Sequence, residues 1–158
     1  MPSPLSELHQ IRLEKLSKLK ARNISPFPQA SFPKRKKSVD LDALALESEV
    51  LVAGRIRSWR AHGGSIFADL YDDSGKIQVF FGQDVLGAKL YEALELLDLG
   101  DFISVSGVLF KTQAGELTVR VTSYELLTKS LRPLPSSFYG LKDVEERYRQ
   151  RYLDLNVN

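Results

Sequence analysis

Between Ser65 and Phe81, apolar and polar residues alternate with a period of two on both sides of the tetrad Asp72-Asp73-Ser74-Gly75. This alternation predicts two short antiparallel strands joined by a tight turn in which Gly75 supplies positive φ. Ile66, Ala68 and Leu70 share one face, and Ile77, Val79 and Phe81 continue it as the expected core face. The opposite face pairs Phe67 with Phe80, Asp69 with Gln78 and Tyr71 with Lys76. Rings, amides and a cation on one face suit unpaired bases, which offer flat surfaces and a hydrogen-bonding edge. The pattern alone also fits a face on which Phe67 and Phe80 are covered by another part of the chain.

The same patterning predicts the remaining elements. Leu8, Ile11, Leu16 and Leu19 fall on one side of a helix over about Ser6–Arg22, which must end before Pro26. Ser38 with Leu41, Leu44 and Leu46 predicts a short capped helical turn. A strand over about Val50–Arg60 carries Val50, Val52 and Ile56, with Gly54 free for a bulge or sharp coil. After the hairpin, Leu86, Leu90, Ala93, Leu94 and Leu97 predict one helix over about Val85–Leu97, with Gly100 just past its end. Strands over Asp101–Thr112 and from Leu117 onward follow, joined by Gln113-Ala114-Gly115. The order β-β-β-α-β-β, with glycines inside two long strands, predicts a mainly β fold: a five-stranded Greek-key barrel of the OB type with a helix between strands 3 and 4. Beyond Leu127, Leu131-Arg132-Pro133-Leu134-Pro135 predicts a stiff connector. It leads to a helix over Asp143–Leu155 whose stripe is Val144, Tyr148, Tyr152 and Leu155. The expected organisation is an N-terminal helix and basic linker over 1–48, a barrel over 49–128, and a linker with the start of a further domain over 129–158.

Charge changes this picture by its placement. Residues 1–38 hold nine Lys/Arg against two Glu, whereas residues 39–100 hold five against eleven Asp/Glu. Arg12, Lys15, Lys18 and Arg22 on the first helix, with the run Lys34-Arg35-Lys36-Lys37, are candidates for a nucleic-acid backbone. A solvated basic arm explains the same residues. No cysteine is present, which excludes disulfides and thiolate metal sites. No apolar run approaches the roughly 18 residues of a membrane span, and no signal-peptide pattern precedes the first helix. The expectation is a cytoplasmic chain without a membrane partner. His9 and His62 stand alone, and Trp59 suits strand packing.

The segments RNISPFP, VAGRI, GKIQVFF, LLDLGDFI, GELTVRV, LLTKSLRPLP and LKDVEERYRQRYLDL closely resemble the N-terminal region of bacterial-type class II lysyl-tRNA synthetases. The resemblance implies a parent enzyme, usually a homodimer, that joins lysine to its tRNA with ATP and Mg2+ and reads the anticodon with its N-terminal barrel. The family's three class II motifs lie downstream of the RYLDL segment, so this chain is expected to bind lysine tRNA with no cofactor and no catalytic residue of its own, and to form no lysyl-adenylate.

The resemblance also implies roles by position. Phe67 corresponds to the ring under the central anticodon base, Gln78 and Glu116 to the pair that reads its edge, and Arg60 to a basic contact beside it. These four are expected to converge because strand one neighbours strand two and strand five closes near strand one. Elementary chemistry suits a uridine: its N3–H needs an acceptor such as ionised Glu116, and its carbonyl oxygens can accept from the Gln78 amide. Two other readings are an anticodon domain of an aspartyl- or asparaginyl-tRNA synthetase and a free-standing OB module that binds single strands without preference. A protein-interaction domain is a third.

Overall fold

The computed structural model describes residues 4–28, 35–133 and 143–157. Phe32-Pro33, Lys34 of the basic run and Leu134-Pro135 of the connector lie outside the described residues. Helix α1 (Pro4–Ala21) and a 3-10 turn (Ser38–Ala43) precede β1 (Glu49–His62), β2 (Ser65–Tyr71) and β3 (Lys76–Gly82). Next come α2 (Gln83–Leu86), α3 (Ala88–Ala93), β4 (Phe102–Lys111) and β5 (Leu117–Thr128), and then α4 (Val144–Arg149) and α5 (Arg151–Val157). The strands close into a barrel in the order β1-β2-β3-β5-β4, with β4 returning to β1. Only the β3–β5 pairing is parallel. This is the expected five-stranded OB barrel with helices between strands 3 and 4 and at both termini.

Alternation fills the interior. Val52, Ile56, Leu70, Val79, Phe81 and Val105 are almost fully buried, each removing its apolar surface from water at roughly 1.5–3 kcal/mol of stabilisation. The hairpin registers as predicted, with Phe67 opposite Phe80, Asp69 opposite Gln78 and Tyr71 opposite Lys76. Its turn is made differently. Gly75 is not among the positive-φ glycines. Instead Asp72 Oδ1 accepts from the backbone N–H groups of Ser74 (2.7 Å) and Gly75 (2.9 Å), an Asx turn that needs no left-handed residue.

A bulge in β1 decides which of its side chains face outward. The pairing with β2 slips between Ile56 and Ser58, leaving Arg57 as the extra residue. Counting by twos inward from Val52 and Ile56 would turn Arg60 into the core. The slip reverses that parity, so Trp59 packs against Phe81 inside and Arg60 stands beside Phe67 outside. At Gly107, β4 and β5 approach so closely that a Cβ would lie inside van der Waals distance of the Arg120 carbonyl oxygen, which requires glycine there.

The helix expected over Val85–Leu97 is broken. Gly87 takes φ +79°, ending α2 and starting α3, and a 3-10 turn (Leu94–Leu96) follows. The changed phase buries Leu86, Leu94, Leu96 and Leu97 but leaves Leu90 exposed. Likewise α4 and α5 replace one continuous C-terminal helix, and Val144, Tyr148, Tyr152 and Leu155 are exposed. No helix among the described residues is long and apolar enough to cross a membrane.

Candidate nucleic-acid interface

Three strands build the outward face opposite the core. β2 supplies Phe67 and Asp69, β3 supplies Gln78 and Phe80, and β5 with the residue before it supplies Thr118 and Glu116. Convergence does not come from strand five closing on strand one, as the sequence suggested. β5 runs parallel beside β3, with Gln78 opposite Thr118, and this contact brings Glu116 to Gln78.

Phe67 and Phe80 are half-buried, with ring centroids 5.0 Å apart and planes tilted by 53°. The described residues therefore leave each ring part-exposed. Phe110 meets Phe80 edge-on at 6.1 Å, and the Arg120 guanidinium lies 4.7 Å from the Phe110 centroid. These four residues border an open cleft of about 450 Å³ together with the Thr112–Ala114 loop. Such rings keep apolar surface in contact with water, which is the condition for stacking a ligand.

The polar groups beside the rings form an ordered relay. The Thr118 hydroxyl donates to Gln78 Oε1 at 2.9 Å, so the Gln78 amide nitrogen is left to donate to Glu116 Oε2 at 2.9 Å. Gln78 is buried while the Glu116 side chain is 42% exposed, so the carboxylate sits at the mouth of the relay. Lys76 Nζ donates to the other Glu116 oxygen at 3.3 Å, and this hydrogen bond is the main cause of its raised pKa. The turn fixes Glu116 from behind, because its backbone N–H donates to Thr112 Oγ1 at 3.1 Å.

Arg60 forks onto Asp69, with nitrogens 3.1 and 3.3 Å from the two carboxylate oxygens, and also donates to Ser58. Burial favours the neutral form of Asp69, but the hydrogen bond and charge of Arg60, with Ser58 and Lys76, outweigh it and hold its pKa below the ordinary carboxylate value. The Arg60 pKa is raised, chiefly by the same hydrogen bond and also by the charges of Asp69 and Glu116. Arg60, Phe67, Gln78 and Glu116 thus lie on one face. Thr118, Asp69, Phe110 and Arg120 complete it. Thr118 belongs to the site because β5 lies beside β3, which nothing local in the sequence announced.

The predicted backbone residues fall into two groups. Arg12 is buried, donating to the carbonyl oxygens of Ser130 (2.9 Å), Leu99 (3.0 Å) and Arg132 (3.3 Å). Lys15 pairs with Asp98 at 2.7 Å. Both therefore hold α1 against the barrel rather than standing in an open basic stripe, and Leu8 and Ile11 face solvent in their place. The other group is exposed: Lys18, Arg22, Arg35, Lys36 and Lys37. Arg22 lies 3.8 Å from Glu95, and Lys37 pairs with Asp73 at 2.9 Å. Among the described residues no group of three His, Cys, Asp or Glu side chains could hold a metal.

Comparison with known proteins agrees with this architecture. Residues 50–127 match the family model for an OB-fold nucleic acid binding domain. The chain is 48% identical over 157 residues to the lysine–tRNA ligase of Carboxydothermus hydrogenoformans and 46% identical over 157 residues to that of Thermoanaerobacter sp.. It is 46% identical over 164 residues to the Bacillus subtilis lysine–tRNA ligase. Each alignment covers 98% of this chain but only 32–33% of the relative, so the chain spans about a third of those proteins.

Proposed function

We propose that this chain, whose residues 50–127 match the OB-fold nucleic acid binding domain model and which is similar over 98% of its length to lysine–tRNA ligases, binds the anticodon loop of a lysine tRNA on the outward face of β2, β3 and β5. The observation that supports this reading is the Thr118–Gln78–Glu116 relay beside the part-exposed Phe67 ring.

A uridine stacked on Phe67 would turn its N3–H toward Glu116. That carboxylate has acceptor capacity left after Gln78 and Lys76. The second amide hydrogen of Gln78 donates to a carbonyl oxygen of the base, and Thr118 prevents the amide from turning over. Arg60, steered by Asp69, retains N–H groups for the flanking ribose-phosphate. Cytosine offers a lone pair at N3 where uracil offers a hydrogen, which leaves Glu116 facing an acceptor at a cost of about 1–3 kcal/mol. The chemistry of the parent ligase, with its ATP and Mg2+, is assigned to no residue of this chain, and lysine-dependent ATP–pyrophosphate exchange by the chain alone should stay at background.

The test is anisotropy titration of two labelled stem-loops, one with the lysine anticodon and one with its central uridine changed to cytidine. The lysine loop should bind roughly 5–150-fold more tightly. Equal affinities would remove the edge-reading role and leave only a stacking surface.

A further inference from the structure

A second cleft, of about 520 Å³, opens at the β2–β3 turn. Arg35, Arg55, Arg57, Tyr71 and Phe102 line it, with Asn156 of α5 at its edge. Arg55 lies directly across from Tyr71 in the β1–β2 ladder, and Arg57 is the bulged residue, so the slip that turns Arg60 outward also presents Arg57. Each guanidinium rests on a ring: Arg55 lies 4.5 Å from the Phe102 centroid and Arg57 lies 5.5 Å from that of Tyr71. Arg57 donates to the Asn156 carbonyl oxygen at 2.7 Å.

Among the described residues, neither Arg55 nor Arg57 has a carboxylate within ion-pair distance. Asp72 and Asp73 also line the cleft and are already engaged. Asp72 accepts from Ser38, Ser74 and Gly75, and Asp73 pairs with Lys37 and lies 3.9 Å from Arg35. Burial, and then the charge of Arg57, lower the pKa of Arg55. Rigid guanidiniums with donors left over match phosphate oxygens in geometry as well as charge.

Tyr71 shares the outward face with Phe67, four residues further along β2, or about 13 Å. We propose that Arg55 and Arg57, propped on Phe102 and Tyr71, form a receptor for a backbone phosphodiester of the RNA strand whose base lies on Phe67. The inference rests on the anticodon-loop reading and extends it from the base to the strand's path. It assigns affinity, without sequence preference, to two residues outside the base-reading set.

The experiment is titration of the same two stem-loops at several salt concentrations with wild type, Arg55→Gln, Arg57→Gln and the control Lys89→Gln. Lys89 is on α3, which sits at the β1–β2 turn at the far end of the sheet, where Tyr91 Oη reaches the Gly63 carbonyl oxygen. Each arginine variant should flatten the slope of log Kd against log salt by about 0.7–1 and weaken both loops by the same factor. The control should change neither. Unchanged slopes in both arginine variants, or an equal change in Lys89→Gln, would overturn the receptor.

A second readout follows the arginine Nε–Hε signals by NMR. The stem-loop should move those of Arg55 and Arg57. If inorganic phosphate moves them and the stem-loop does not, the cleft serves free phosphate and the strand assignment fails. Failure of the base reading looks different: the two loops would bind equally while the arginine slopes still change.

Discussion

Two polar regions of this molecule are built from similar residues and used in opposite ways. At the junction of α1, the loop before β4 and the segment after β5, the fully buried Lys129 ammonium sits 2.5 Å from Asp98 and 2.7 Å from Asp101. Lys15 closes on Asp98, the Ser130 N–H closes on Asp101, and Arg12 gathers carbonyl oxygens around the outside. Here the charges are matched and largely removed from water. On the face of β2, β3 and β5, the Glu116 side chain is 42% exposed, Arg60 is 43% exposed and two rings are part-exposed. Its hydrogen bonds orient groups without exhausting them. The difference teaches that basic residues are a poor guide to the surface proposed to face RNA. Two of the four cations on α1 are ties within the fold, while the face proposed to read a base relies on a carboxylate and an amide.

The sharpest way to separate the two regions is to break the first. Lys129→Met leaves the fully buried Asp101 without its cation, with only Lys15 remaining on Asp98, and should lower the unfolding free energy by about 3–5 kcal/mol. Urea denaturation measures the loss, and the folded fraction should keep its preference between stem-loops. Arg12→Gln should cost about 2 kcal/mol through lost charge-assisted hydrogen bonds and leave the salt slope of RNA binding unchanged. Lys18→Gln should do the reverse if the exposed cations of α1 track phosphates, with wild-type stability and a shallower slope.

The second region answers to different changes. Phe67→Ala should weaken both stem-loops by about 1–3 kcal/mol and leave their ratio almost intact, because stacking is nearly indifferent to base identity. The mildest effect comes from pH. Burial favours the neutral form of Asp98, but the hydrogen bonds and charges of Lys129 and Lys15 win and depress its pKa. A carboxyl whose folded pKa lies below its unfolded one stabilises the fold fully above the unfolded value, near 4, and loses that contribution as pH falls through the folded value. The urea midpoint should therefore drop on acidification below about pH 4, and drop less in Lys15→Gln.

How much of this was legible depended on whether the cause was local. The register of β2 on β3 follows from alternation either side of a short turn, and every cross-strand pair fell where the pattern put it. Arg60 was different. Its outward placement needs the Arg57 bulge, and no residue type near Arg57 demands one. The meeting of Glu116 with Gln78 depends on a parallel pairing between strands separated by two helices and β4, which no short window contains. On α1, apolar spacing pointed to Leu8 and Ile11 as the buried side, but the ion-paired junction drew Arg12 and Lys15 inward instead. The single helix expected over Val85–Leu97 yielded to Gly87, whose positive φ a residue with a side chain adopts rarely.

The central claim is that Glu116 senses whether the stacked base carries a hydrogen at N3. A double-mutant cycle tests it most directly: wild type and Glu116→Ala, each titrated with the lysine stem-loop and the loop bearing central cytidine. Wild type should favour uridine by about 1–3 kcal/mol, and most of that preference should vanish in Glu116→Ala while both proteins remain folded. A preference that survives the substitution undiminished, with both affinities lowered alike, would contradict the claim.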